Sequence, residues 1–208
     1  SYGSELAGNA GKVTFQDRPQ ALEIVGIGSG DEQNTPNIEL SFYINEQLVK
    51  EEANDTIEYQ YLPPESGRHQ ITLMGSDGEG RDTVSKTLMV NPEVANQPRP
   101  DTLKDGITYV NDTTVAFSLF APHKDYVYLL GEFNDWQVGA DYYMKRDSIN
   151  PDSVYYWTSV SGLDAGKEYA FQYLVDGQIR VADPYSEKIL DPANDSYITD
   201  EIYPNLKP

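Results

Sequence analysis

The second half of the chain contains the stretch Val127-Tyr128-Leu129-Leu130-Gly131-Glu132-Phe133-Asn134-Asp135-Trp136. Its first four residues form a short apolar run that ends at a glycine, a pattern typical of a buried β-strand followed by a turn. The motif Gly-x-Phe-Asn-x-Trp at its end predicts a tight bend that projects the indole of Trp136 from the sheet. This stretch therefore predicts a β-fold with an aromatic side chain presented at the end of a strand.

Strand patterns recur along the whole chain, whereas no window of eleven or more residues carries the apolar spacing of a helix. The predicted strands are 22–27, 38–44, 56–61, 69–74, 84–90, 107–110, 115–120, 126–130, 155–160, 169–175 and 179–182. Turn residues separate them at intervals typical of immunoglobulin-like sandwiches. The fold class that we expect is therefore all-β, with two tandem immunoglobulin-like β-sandwich domains.

A proline-rich segment separates the two sets of strands. Residues 91–100 contain Pro92, Pro98 and Pro100 and show no periodicity, which is the composition of an interdomain linker. We therefore predict an immunoglobulin-like spacer domain over 1–91, a linker over 92–104 and a second sandwich over 105–208.

Composition excludes several classes of function. Fifteen basic and 34 acidic residues give a formal charge of −19, so we expect no nucleic-acid partner. The chain has no cysteine and two distant histidines, and no loop matches the twelve-residue calcium pattern, so we expect no metal, cofactor or catalytic residues. No apolar stretch approaches the length of a membrane span. With 208 residues, the chain is also too short for a catalytic barrel of about 250 residues.

Three segments carry a family resemblance when they are taken together in order: 117–136, 169–177 and 183–198. They resemble the sandwich domain that precedes the catalytic barrel in α-amylase-family enzymes (glycoside hydrolase family 13), a domain grouped with the family 48 carbohydrate-binding modules. The resemblance implies a non-catalytic N-terminal accessory region that packs against the enzyme's own downstream barrel. The parent enzyme would hydrolyse α-glucans such as starch, glycogen or pullulan. We expect it to be bacterial and secreted, periplasmic or displayed at the cell surface.

Two other functions stay open. The second sandwich is alternatively an α-glucan-binding module, with Trp136 stacking on a sugar ring and Asn134 and Gln172 as polar partners. Binding members of the family carry a lysine and a second tryptophan where this chain has Gln172 and Ile179, which leaves that site incomplete. If these residues bind no sugar, we expect Trp136 to be a core residue and Asn134 to form hydrogen bonds with its own backbone. For Trp157, the resemblance favours packing over ligand contact. The third alternative is an adhesion or assembly module without sugar binding.

Overall fold

The structure is a computed structural model that describes residues 13–28, 38–78, 80–186, 188–191, 193, 195–199 and 201–202. Almost all of its regular structure is β-strand, which confirms the all-β prediction. None of the helices in these ranges has the length and apolarity needed to cross a membrane.

The chain divides into two compact units. The first comprises the residues up to Glu93 together with Val138–Tyr143, and the second comprises Val94–Gln137 and the residues from Met144 onward. The division at Glu93 falls within the proline-rich segment, whereas nothing in the sequence indicated that Val138–Tyr143 groups with the first unit. The domain bounds given above remain a prediction.

The described residues of the first unit form seven strands: β1 (Val13–Gln16), β2 (Leu22–Ile27), β3 (Glu39–Ile44), β4 (Gln47–Glu52), β5 (Thr56–Tyr61), β6 (Gly67–Ser76) and β7 (Arg81–Val90). Five of them form a sheet in the order β1-β7-β6-β3-β4, in which β1 runs parallel to β7, and β2 pairs with β5 in a second sheet. Sequence patterns missed β1 and β4. In β4, the polar and charged sequence from Lys50 to Glu52 hides the alternation, as is common in an edge strand.

Alternate residues of the facing strands form the core of the first unit. The buried apolar residues are Ile24, Leu40, Phe42, Ile44, Ile57, Tyr61, Ile71, Leu73, Leu88 and Val90. His69 is also buried, and each of its ring nitrogens has a partner: Nδ1 lies 2.9 Å from the Tyr61 hydroxyl and Nε2 lies 3.0 Å from the Glu65 carbonyl oxygen. His69 is therefore a satisfied core residue.

In the part of the second unit that the structure describes there are also seven strands: β8 (Gly106–Asn111), β9 (Thr114–Phe120), β10 (Val127–Gly131), β11 (Lys145–Asn150), β12 (Ser153–Ser161), β13 (Phe171–Val175) and β14 (Ile179–Val181). One sheet has the order β11-β12-β9-β8, and the other has the order β10-β13-β14. Sequence patterns missed only β11, whose polar residues again belong to an edge strand.

Aromatic side chains connect the two sheets of the second unit. The ring of Phe117, from the four-stranded sheet, lies 4.8 Å from that of Phe171 and 6.0 Å from that of Phe133, measured between centroids. Tyr173 follows on the same face of β13 as Phe171 and is fully buried. The core of the sandwich therefore lies between the two sheets, directly below the end of β10.

Part of the segment predicted as a linker is held along the edge of β11. The Arg146 amide donates to the Ala95 carbonyl oxygen at 2.9 Å, and the Gln97 amide donates to the Arg146 carbonyl oxygen at 2.9 Å. The indole N–H of Trp157 donates to the Gln97 carbonyl oxygen at 3.0 Å. Residues 95–97 thus continue the four-stranded sheet beyond its last regular strand.

Candidate functional site

The bend after β10 has an unusual backbone. Glu132–Asn134 form a single 3-10 turn, and the Trp136 amide donates to the Gly131 carbonyl oxygen at 2.9 Å. Asp135 and Trp136 then both adopt left-handed conformations, with φ of 52° and 59°. A left-handed conformation costs an L-residue roughly 1–2 kcal/mol, and such strain concentrates at functional sites. The bend leaves Trp136 41% exposed, so Trp136 is not a core residue.

Asn134 holds the bend together. Its side-chain Oδ1 accepts a hydrogen bond from the Gly131 amide at 2.9 Å, and its Nδ2 donates to the Leu129 carbonyl oxygen at 3.0 Å. Each of these two atoms can form one further hydrogen bond. Asn134 therefore positions the backbone that carries Trp136, and its contact with a sugar stays a prediction.

Glu132 and Ala170 fix the bend to the start of β13, and sequence reasoning singled out neither of them. The Glu132 amide donates to the Ala170 carbonyl oxygen at 3.0 Å, and the Ala170 amide donates to the Glu132 carboxylate at 3.1 Å. At Gly131, an added Cβ would lie 2.6 Å from the Phe133 ring and 2.8 Å from the Ala170 carbonyl oxygen. A glycine directly after an apolar run and two residues before an aromatic is the sequence signal that points to this close packing.

Strand register places Gln172 beside the base of the bend. Gln172 pairs with Leu130 across β10 and β13, and it lies on the face of β13 opposite to Tyr173. Trp136, Asn134 and Gln172 thus belong to the same end of this strand pair. Gln172 is half-buried, and its sugar contact stays a prediction.

Ile179 lies at the other end of β13. Ile179 pairs with Val175 of β13. Val175 lies three residues from Gln172, so the two positions are about 10 Å apart along the strand. The side chain of Ile179 is 48% exposed, but it is aliphatic and offers no aromatic ring for stacking. The only aromatic side chain among the four positions that the resemblance singles out is that of Trp136.

Trp157 has no role in this bend. It is buried on the four-stranded sheet, where its N–H bonds Gln97 and the Lys145 ammonium nitrogen lies 4.3 Å from its ring centroid. Trp157 therefore packs within the domain. Among the described residues, no group of three or more His, Asp or Glu side chains is placed to hold a metal ion.

Comparison with known families finds a similarity for most of this unit. Residues 105–186 match the family described as carbohydrate-binding module 48, the isoamylase N-terminal domain. The predicted resemblance is confirmed. The module 48 match includes β8 to β14, and so it contains the whole Trp136 bend.

Several proteins to which this chain is similar are named as a glucan branching enzyme or as pullulanases. A 1,4-alpha-glucan branching enzyme of Salinibacter ruber is 31% identical over 88 residues, which are 42% of this chain and 13% of that enzyme. A pullulanase of Anoxybacillus, solved with maltotriose, is 17% identical and has a TM-score of 0.32. The match covers 84% of this chain and 26% of the pullulanase chain. A Group B Streptococcus pullulanase, solved with maltotetraose, is 12% identical with a TM-score of 0.34 and covers 90% and 24%. The chain thus spans about an eighth of the branching enzyme and a quarter of each pullulanase.

Proposed function

We propose that this chain is the non-catalytic N-terminal accessory region of an α-amylase-like glycoside hydrolase that acts on α-glucans. The observation that carries the proposal is the module 48 match over residues 105–186. A relative named as a branching enzyme supports the choice of α-glucans. In this proposal, the catalytic residues lie elsewhere in the full protein, and the protein is secreted, periplasmic or displayed at the bacterial surface.

Exposed apolar side chains near the end of the second unit support packing against a further domain. Ile189, Tyr197 and Ile202 are large apolar residues that are largely exposed within a stretch of fourteen residues. Large apolar side chains that a domain leaves exposed are common where another domain packs against it. We therefore propose that Ile189, Tyr197 and Ile202 contact the catalytic domain.

Activity measurements on two forms of the protein test this function. The product of the full coding sequence and the chain 1–208 are incubated with amylose, glycogen and pullulan, and the release of reducing sugar is measured. We expect release by the full product and none by the chain alone. Release by the chain alone, or a coding sequence that ends at Pro208 without a catalytic domain, would contradict the proposal.

A second function is α-glucan binding through Trp136. The observation that favours it is the exposed indole on a backbone strained into two consecutive left-handed residues. An exposed, rigidly held ring can stack on the apolar face of a glucose unit, with Gln172 and Asn134 at the base of the same bend.

Affinity electrophoresis in gels that contain amylose, glycogen or pullulan tests this binding. We expect the polysaccharides to retard the chain and the substitution Trp136→Ala to reduce the retardation. Tyr109→Ala is the matched control because it removes an exposed aromatic side chain from β8, in the other sheet. Equal retardation of the Trp136 variant and the unsubstituted chain would exclude this function for Trp136.

A further inference from the structure

We propose that the four-stranded sheet of the second unit carries another carbohydrate-binding site, separate from the Trp136 bend. The site is a row of three aromatic residues, Phe120, Tyr155 and Tyr185, hereafter the aromatic row. Its ligand is a neutral oligosaccharide chain. The assignment of a sugar as the ligand rests on the proposed function, whereas the placement of the residues does not.

The register of β9 and β12 places the first two rings side by side. Phe120 and Tyr155 are direct cross-strand partners, and their ring centroids lie 5.1 Å apart with an interplanar angle of 56°. Phe120 is the last residue of β9 and is 45% exposed. Because side chains alternate along a strand, Ser118 and Trp157 lie on this same face, and both are buried. They form a floor next to the two rings.

Arg99 connects this aromatic pair to the rest of the row. Its guanidinium carbon lies 4.1 Å from the Tyr155 ring centroid, and its Nη1 donates to the Ser118 hydroxyl at 2.8 Å and forms an ion pair with Asp105. Its backbone amide donates to the Asp147 carboxylate at 3.0 Å. These bonds fix Tyr155 before any ligand arrives, which reduces the entropy lost on binding.

Tyr185 forms the other end of the row. Its hydroxyl lies 3.5 Å from the second oxygen of Asp105, and its amide donates to Asp183 at 2.8 Å. The residue lies directly over Gly106, where an added Cβ would come within 2.6 Å of the Tyr185 Cβ. Tyr185 is nevertheless 56% exposed. Asp105 therefore bridges Arg99 and Tyr185, and this ion pair links the Phe120–Tyr155 pair to Tyr185.

The chemistry of the row fits a sugar better than other ligands. The exposed rings of Phe120 and Tyr185 can stack on the C–H faces of pyranoses, while the half-buried Tyr155 lies beneath Arg99 and supports Phe120. The carboxylates of Asp105 and Asp147 can accept hydrogen bonds from hydroxyl groups. The same carboxylates and the charge of −19 repel nucleic acids and other polyanions. The row lies on the four-stranded sheet, whereas the Trp136 bend follows β10 in the other sheet. The two sites are therefore separate on the module.

Binding measurements on the whole chain test the aromatic row. The dissociation constants of glycogen, pullulan and maltoheptaose are measured for Phe120→Leu, Tyr185→Ala and the double variant, each also combined with Trp136→Ala. Phe120→Leu keeps an apolar contact with Tyr155 but removes the ring. Tyr109→Ala is the control because Tyr109 is 80% exposed on β8, outside the row. Far-ultraviolet circular dichroism confirms that each variant is folded.

We expect each row variant to weaken polysaccharide binding about fivefold or more, with the effect retained in the Trp136→Ala background, and the control to bind normally. Row variants that bind as tightly as the unsubstituted chain would overturn the aromatic row. Loss of all binding through Trp136→Ala alone would also overturn it and would leave the proposed function intact. An unsubstituted chain that binds none of the three sugars overturns the row as well, whereas the accessory role is decided separately by the activity measurements.

Discussion

Gly106 is the position at which one methyl group should do the most damage to the second unit. Its φ of 78° is left-handed, and an added Cβ would lie 2.6 Å from the Tyr185 Cβ and 3.2 Å from the Asp183 carboxylate. Gly106→Ala therefore combines backbone strain with a steric clash. Gly162 separates the two effects, because its φ is 79° but nothing lies within 4 Å of an added Cβ. Gly162→Ala thus carries the backbone strain alone.

The expected magnitudes follow from these two contributions. Left-handed strain costs roughly 1–2 kcal/mol, so we expect Gly162→Ala to lower the free energy of unfolding by about that amount. Overpacking adds about 1–3 kcal/mol, so we expect about 2–5 kcal/mol for Gly106→Ala. Domains of this size have stabilities of about 5–15 kcal/mol, so the Gly106 variant should still fold.

Urea unfolding followed by tryptophan fluorescence measures the difference. The chain contains two tryptophans, Trp136 and Trp157, and both belong to the second unit, so the signal reports on that unit alone. With an m-value of about 2 kcal/mol/M, the midpoint should fall by roughly 0.5–1 M for the Gly162 variant and 1–2.5 M for the Gly106 variant. Equal shifts for the two variants would refute the claim that Tyr185 is packed against Gly106.

Three other predictions concern polar side chains of the second unit. Burial raises the pKa of Tyr156 to about 12, so the unfolded chain loses this proton first and stability falls as the pH rises from about 10 to 12. Tyr156→Phe should flatten this fall in urea unfolding measured at several pH values. Tyr109→Phe, at an exposed position, should not. Asn134→Ala removes two hydrogen bonds of the bend and should cost about 1–3 kcal/mol, whereas an unchanged urea midpoint would contradict its positioning role. Tyr173→Phe removes the donor to Oδ2 of the buried Asp183 carboxylate and leaves the Tyr185 amide as its remaining donor, which should cost about 1–3 kcal/mol of stability, unlike the same change at the exposed Tyr109.

Sequence patterns predicted the strands that have a clear apolar face. The alternation in Leu40, Phe42 and Ile44 and the apolar run from Val127 to Leu130 both correspond to strands with buried residues. The patterns missed β1, β4 and β11, each of which is the outermost regular strand of its sheet, and in β4 and β11 polar residues hide the alternation. The β-propensities of the residues do not indicate which segment pairs with such an outermost strand.

The sequence predicted one part of the candidate binding surfaces and not the other. The motif that ends at Trp136 indicated an exposed ring at a bend, and the structure shows that ring exposed. The aromatic row was not predictable, because Phe120, Tyr155 and Tyr185 are far apart in sequence. Only the β9–β12 register and the fixed position of Arg99 bring them together. Local patterns predict what a strand end presents, but long-range pairing decides which side chains act together.

Two separate sites on one module would explain why Ile179 need not be aromatic. A single stacking platform worth about 1–3 kcal/mol gives weak affinity for a short sugar, since a dissociation constant of 1 mM already requires about 4 kcal/mol. A branched polymer differs, because one chain can contact the Trp136 bend while another contacts the aromatic row. Once the first contact is made, the second becomes intramolecular, and its effective concentration raises the overall affinity by about 10²- to 10⁴-fold. On this argument, the chain binds glycogen far more tightly than maltoheptaose, and loss of either site removes most of that difference.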